Sequence, residues 1–521
     1  MKQVAPSGQI SPPAKPILYL PSDGLTKINE SASLCFKGMA DCREYFLRDG
    51  VFVKPRSSET EGLLLNQIDN HEFPSQLEYV FEVAKKGREK NGKVVTNFVN
   101  CDQKEAKVLL SCTDEMLRYS LPLRILAASP VIIERNGAPS VLQKGYHREE
   151  GGIYVINGFD IPSMTLAEAK ERLLDLFADY VFVSPSDKSR AIAQLLSPAL
   201  KLGNLLPGAD FPLDVALADQ SQGGKTHRMR FTALAYGEKA YALTKTRGGV
   251  GSLDEAVATG LIAGKLFILV DNVRGEIDSQ ILESILRGTG SISARVPYRK
   301  AVLAQTGRSV WQVTSNAAQF TVDLANRSIV TNHKKQPQAY KHKSKAGWGD
   351  QVYGYIREHQ GEYLGAVHTI VGEWITRGKP RTDENRHNFR AWVQSLDYIV
   401  SEILELPKLM EDHDNAHRAL SSPSHAWLRQ IIIEAVKTHG RPCKIRAGEM
   451  GDIADCNAIP IPNLRNNLSA DDDLRNKAIG KLLIPIFREA KTVKIENFHI
   501  ERIEIARLPG CNHSGFEYRI S

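Results

Sequence analysis

The stretch LDVALADQSQGGKTHRMR, residues 213–230, decides how the rest of this chain is read. Leu213, Val215, Ala216 and Leu217 form an apolar segment that predicts a buried strand. The turn Gln222-Gly223-Gly224-Lys225-Thr226 follows, and Met229, Phe231, Leu234 and Ala235 predict a helix after it. Strand, glycine turn, Lys-Thr and helix form an arrangement that cradles phosphate. The glycines let backbone N–H groups approach without a Cβ in the way. The helix N-terminus adds partial positive charge. Lys225 is placed to reach the β/γ-phosphates of a nucleoside triphosphate, and the Thr226 hydroxyl to hold Mg²⁺. Gln222, Gly223, Gly224 and His227 are the other candidate nucleotide contacts. Asp219 stands where the full pattern has its first glycine, so D-x-x-x-G-G-K-T also fits a helix-opening loop with no ligand.

Downstream residues bear on that choice. Residues 265–272, KLFILVDN, form an apolar run ending in acid, which predicts a buried parallel strand that delivers Asp271 to its C-terminal edge. Beside a phosphate loop, Asp271 would complete the Mg²⁺ shell and the next residue would handle the attacking water. That residue is Asn272, which can orient water but cannot take its proton, so either hydrolysis is slow or Glu276 or a neighbour serves as base. Residues 309–316, SVWQVTSN, predict another strand, ending in Asn316, a candidate contact for the γ-phosphate or the water. DLANRS then supplies Asp323 and Arg327. Arg327 is either a surface arginine in a salt bridge or a finger reaching a neighbouring subunit's phosphate. Between the two strands, residues 291–308, SISARVPYRKAVLAQTGR, predict a basic β-hairpin, and Arg295, Arg299 and Lys300 face either solvent or DNA.

The series DQSQGGKT, FILVDN, basic hairpin, VTSN and DLANRS resembles, in order and spacing, the AAA+ helicase-like ATPases of phages, plasmids and mobile elements. These are related to superfamily 3 helicases and more distantly to the minichromosome maintenance helicases. The resemblance covers roughly residues 140–400. It implies ATP and Mg²⁺ as cofactors, Lys225 and Thr226 on phosphate and metal, Asp271 and Asn272 on metal and water, Asn316 as sensor and Arg327 as finger. It also implies a homo-oligomeric, usually hexameric, ring whose hairpins grip single-stranded or forked DNA. Asp219 and Asn326, which stands where the family often has an arginine, depart from the pattern.

Composition bounds the remainder. A chain of 521 residues is too long for one core. A net charge of +7 permits a nucleic-acid partner without requiring one. No apolar run approaches the roughly 18 residues that cross a bilayer, and residues 1–16 read as a flexible Pro-rich leader with no signal core. Seven cysteines, never spaced C-x-x-C, suit a reducing cytoplasm.

The expected fold is an α/β P-loop NTPase with an AAA+ core at residues 157–345. An N-terminal α+β domain (17–156), a helical lid (346–410) and a C-terminal winged helix (420–521) flank it. Within the first domain, residues 50–54, 94–99, 107–111 and 130–134 read as strands and 75–86 as a helix. Residues 145–160 read as a hairpin connector, and Thr165 with Glu168 as the capping box of a helix over 165–177. The Gly-rich segment 236–252 and the basic segment after Val330 read as loops. The lid reads as two helices, 348–374 and 389–406. The C-terminal segment reads as three helices, the last over 469–488 with Ser469 as N-cap, and a hairpin. Lys477 and Lys481 on that last helix are candidate DNA contacts. The expected function is an ATP-dependent, ring-forming DNA helicase or replication initiator. An ATP-dependent DNA-binding assembly switch in element maintenance or antiviral defence, and a structural protein with an inert loop, stay open beside it.

Overall fold

The computed structural model describes residues 15–521 except 23, 219–222, 244–251, 278, 287–289, 295–301, 338–339, 348–349, 415–416, 418–422, 460, 463, 465–471, 489, 496 and 506–514. The N-terminal part is mixed α and β. The helix Ile28–Asp41 buries Cys35, Phe36 and Met39 against Phe52 and Phe73. A four-stranded sheet runs in the order Gly62–Gln67, Val51–Ser58, Phe46–Arg48, Leu121–Pro122. Two local expectations are corrected. Residues 107–111 are not a strand but belong to the helix Gln103–Leu110, where Asp102 and Glu105 form a reciprocal capping box. The expected helix 75–86 stops at Val80, because Glu82–Arg88 is a strand held on both sides by Ile17–Tyr19 and Val94–Phe98. Long-range pairing outweighs local periodicity there.

The central core is a six-stranded sheet. Its elements are α1 (Leu166–Leu176), β1 (Val181–Phe182), α2 (Pro185–Leu202), β2 (Leu213–Ala218), α3 (Lys225–Ala235), β3 (Tyr241–Leu243), α4 (Leu253–Ile262), β4 (Phe267–Ile277) and α5 (Gln280–Ile285). They continue with β5 (Ser291–Ala294), β6 (Val302–Gln305), β7 (Val310–Phe320), α6 (Val322–Asn326) and β8 (Ser328–Lys334). The sheet order is β1-β8-β2-β7-β4-β3, with β2, β3, β4, β7 and β8 parallel and β1 antiparallel at the edge. β4 is buried on both faces, with Phe267, Ile268, Leu269 and Val270 all in the core, whereas the edge strands β1 and β3 are only partly buried. Thr165 and Glu168 cap α1 as the sequence indicates. Segment 236–252 contains the short strand β3. The segment after Val330 begins not as a solvated loop but as β8, with Ser328, Ile329, Val330, Thr331 and His333 buried. Its apolar residues run directly into lysines, and pairing with β2 makes them a strand. β5 and β6 form the expected antiparallel hairpin, whose turn lies outside the described residues.

The same hydrophobic core extends beyond the sheet. It takes in the hairpin of Val131–Arg135 with Ala138–Leu142, the strand Ile153–Val155, and the helices that follow β8. The expected helix 348–374 is two helices, α7 (Asp350–Glu358) and α8 (Gln360–Thr376), separated at His359. α9 (Arg390–Tyr398) ends in a π-helical turn, Ile399–Ile403. The C-terminal part has a separate core. It runs α10 (Pro423–His439), β9 (Cys443–Arg446), α11 (Ala447–Cys456), α12 (Asp472–Leu483), β10 (Thr492–Ile495), β11 (Phe498–Ile505) and β12 (Gly515–Ile520), with sheet order β9-β12-β11-β10. Two strands beyond the expected hairpin are therefore present. The proposed cap Ser469 lies outside the described residues. Buried Arg475 ties α12 to α11 through Asp452 and Asp455.

Candidate nucleotide site

β2 lies between β7 and β8, although the chain visits β3 and β4 first. Strand order therefore reverses at β2, and the crevice beyond its C-terminal end is where open α/β sheets bind ligands. The glycine turn occupies that end. Gly224 caps α3 in the left-handed region, φ 77°, which residues with a Cβ rarely adopt. The first N–H groups of α3, which have no intrahelical acceptor, open from it. Lys225 begins α3 and is 9% exposed. Gly223 is also described, whereas Gln222 and Asp219 lie outside the described residues. The position of α3 is set by a buried ion pair the sequence did not reveal: Arg228 on α3 donates to both carboxylate oxygens of Asp214 on β2, at 3.0 and 2.7 Å.

Asp271 sits in a β-bulge. Val270 pairs with Val313 and Val273 with Ser315, so Asp271 and Asn272 together face one residue of β7, Thr314. Asn272 takes up the extra length with φ 51°, a conformation asparagine tolerates better than most residues. Three hydrogen bonds converge here. The Thr226 hydroxyl donates to Asp271 Oδ1 at 2.8 Å, the Thr314 hydroxyl donates to the same oxygen at 2.5 Å, and the Asn272 N–H donates to Thr314 Oγ1 at 2.8 Å. Arg230 lies 3.8 Å from Asp271 Oδ2. The Lys-Thr turn, the acidic strand and the neighbouring strand thus meet at one carboxylate. Thr314 is the contact the sequence reading passed over, although it lies two residues before Asn316 on the same strand. Asn316 is the extra residue of a second offset, between Ser315 and Ala317, and its side chain is outside the described residues.

His333 on β8 stands opposite Ala218, the last residue of β2. Its ring is 1% exposed, lies near the rings of Tyr180 and Phe182, and has no hydrogen-bond partner on either nitrogen. Burial, with the charges of Arg228 and Lys225, holds its pKa well below the usual histidine range. His227 bonds the Tyr353 hydroxyl through Nδ1 at 2.6 Å, and the two rings stack. The pair lies beside a small cleft that Tyr180 and Phe231 also line.

The remaining sites are spread out. Arg327 is engaged within its own chain, paired with Asp323 at 2.7 Å and donating to the Glu283 carbonyl. That is the salt-bridge alternative in geometry. Arg295, Arg299 and Lys300 lie outside the described residues. Lys477 and Lys481 are exposed on α12. Among the described residues no group of three or more His, Cys, Asp or Glu could hold a metal by itself. The oxygens of Thr226 and Asp271 suit Mg²⁺, which keeps waters and takes substrate phosphates beside one or two protein ligands. No described helix is long and apolar enough to cross a membrane.

No protein-family model matches the chain, and no curated protein does. Among solved structures, one described as SCCmec type IV Cch, active helicase, is 14% identical, covering 82% of this chain and 93% of its own at a TM-score of 0.33. The NrS-1 C-terminal region is 10% identical, covering 93% and 98%, also at 0.33. The JCV helicase is 13% identical, covering 49% and 71%, at 0.24. At these TM-scores the overlap is loose, and the functional reading rests on the chain's own residues.

Proposed function

We propose that the chain is an ATP-dependent, ring-forming DNA helicase or replication-initiator ATPase of a mobile element or phage. The observation that carries the ATP site is the meeting of Thr226, Asp271 and Thr314 at the switch point of the sheet, next to Lys225. Lys225 and the open N–H groups of α3 hold the triphosphate. Thr226 and Asp271 hold Mg²⁺, which neutralises charge on the phosphate oxygens when bound. Thr314 fixes the carboxylate and, through the Asn272 N–H, the backbone beside it. Asn272 orients water. The hairpin β5–β6 and the C-terminal unit, with a helix and strand order that suits a winged helix, supply the DNA contacts. Lys477 and Lys481 face solvent for that purpose. Turnover of MgATP that rises with single-stranded DNA and is abolished in Lys225→Ala tests this reading. Turnover indifferent to nucleic acid would remove the helicase.

Two observations favour the second reading, an ATP-dependent DNA-binding assembly switch without unwinding. Arg327 is bound to Asp323 and Glu283 of its own chain, and Asn272 cannot act as a base. That reading gives ATP-dependent oligomers with no strand separation on a forked duplex.

A further inference from the structure

A cavity of about 460 Å³ opens on the other edge of the central sheet, away from the Lys225 turn. Its walls include residues 204–211, just before β2, and 305–308, just before β7, so it lies at the N-terminal ends of those strands. The Asp49–Gly50 turn of the N-terminal part and Lys201 near the end of α2 close it. Its size falls within the ~300–1,000 Å³ of small-molecule sites.

The charges in it are unbalanced. Arg124, Lys201 and Arg308 line it, with Arg48 close behind, and Asp49 is the one acid lining it among the described residues. Asp210 is the other acid in reach of Lys201. Arg308 already takes both oxygens of Asp49, at 3.0 and 3.2 Å. Arg48 reaches the same carboxylate only at 3.8 Å and leaves a buried guanidinium nitrogen with no hydrogen-bond partner. Among the described residues, Lys201 and Arg124 donate only to backbone carbonyls, those of Ser309 at 2.6 Å and Leu202 at 3.2 Å. Burial and the charge of Arg308 push Arg124 down to about 10 and Arg48 to about 9, and burial pushes Lys201 down to about 7. Cations that outnumber the acids in a partly buried space are stabilised by an anion brought among them. Part of the lining is apolar, with Leu206 and Phe211, and the Lys201 ammonium lies 4.8 Å from the Phe211 ring centroid. A flat apolar-faced group beside a phosphate matches both kinds of lining, as bases on aromatic side chains do in nucleic-acid sites.

We propose that this cavity is a second nucleotide site, separate from the Lys225 turn, in which Arg124 and Lys201 take the phosphate and Leu206 and Phe211 the base. The phosphate is either that of a free nucleotide or one carried in a DNA strand held at the base of the β5–β6 hairpin. The test uses the full chain carrying Lys225→Ala, so the ATP reading and this one fail separately. Radiolabelled dTMP is followed by equilibrium dialysis, and fluorescein-labelled oligo-dT by anisotropy. Saturable binding of either probe is expected, weakened roughly tenfold or more by Lys201→Gln and restored by Lys201→Arg. An effect on dTMP assigns a free nucleotide, and an effect on oligo-dT alone assigns a strand. Arg124→Gln adds to the loss, and melting curves show whether each variant is folded. Failure of both probes to bind, or binding unchanged by Lys201→Gln in a folded chain, overturns the proposal.

Discussion

Thr314 connects β7 to the acid of β4 through one hydroxyl, which donates to Asp271 and accepts from the Asn272 N–H. Thr314→Val keeps the shape and removes both bonds. We expect kcat for ATP to fall roughly 10–100-fold with KM changed far less, as for lost positioning of charged groups; steady-state kinetics check this. Arg228→Met is expected to destabilise by about 3–5 kcal/mol, because it strands the buried Asp214 carboxylate. The double variant Asp214→Leu with Arg228→Met recovers most of that loss in thermal melts. Buried histidines give a pH dependence of known sign. His333 and His413 are held well below their usual range, His368 at about 3 and His387 at about 4, all mainly by burial. The unfolded chain binds protons near pH 6.5 that the fold excludes, so stability is full above that pH and falls below it by about 1.4 kcal/mol per unit for each group. Glu238, raised by burial to about 8, opposes one of the four between pH 4.5 and 8. The melting temperature is therefore expected to drop from pH 7.5 to 5.5.

Elements differ in how far they can be read from sequence. α1 was legible because its capping box is local; Thr165→Ala is expected to cost about 1 kcal/mol. β2, β4 and β7 were legible because each opens on a run dominated by apolar residues, unbroken only in β4. β8 was missed because its apolar residues run straight into lysines, and only pairing with β2 makes them a strand. Residues 107–111 were misread because a short apolar run fits either period, and the capping box before it settles the matter. The site was partly legible for the same reason. Lys225, Thr226 and Asp271 follow from motifs, whereas the Thr314 bond depends on a bulge that offsets two strands by one residue, and no spacing rule shows that. The cavity at Lys201 was invisible, since its walls come from widely separated parts of the chain.

At the scale of the molecule, the central sheet and the α7–α9 helices share one core, while the C-terminal unit has its own. A chain ending before Pro423 is therefore expected to keep the main melting transition and lose DNA affinity. Lys477→Glu with Lys481→Glu in the full chain is expected to flatten the salt dependence of DNA binding by about two units, if each lysine meets one phosphate. Titrating affinity against salt checks both. The central claim is that Lys225, Thr226, Asp271 and Thr314 form one ATP-hydrolysing site. Steady-state hydrolysis of MgATP by the full chain, compared with Lys225→Ala, tests it most directly. The account predicts saturable turnover in the wild-type chain and none above background in the variant; equal rates in the two, or no saturable ATP binding by the wild-type chain, would contradict it.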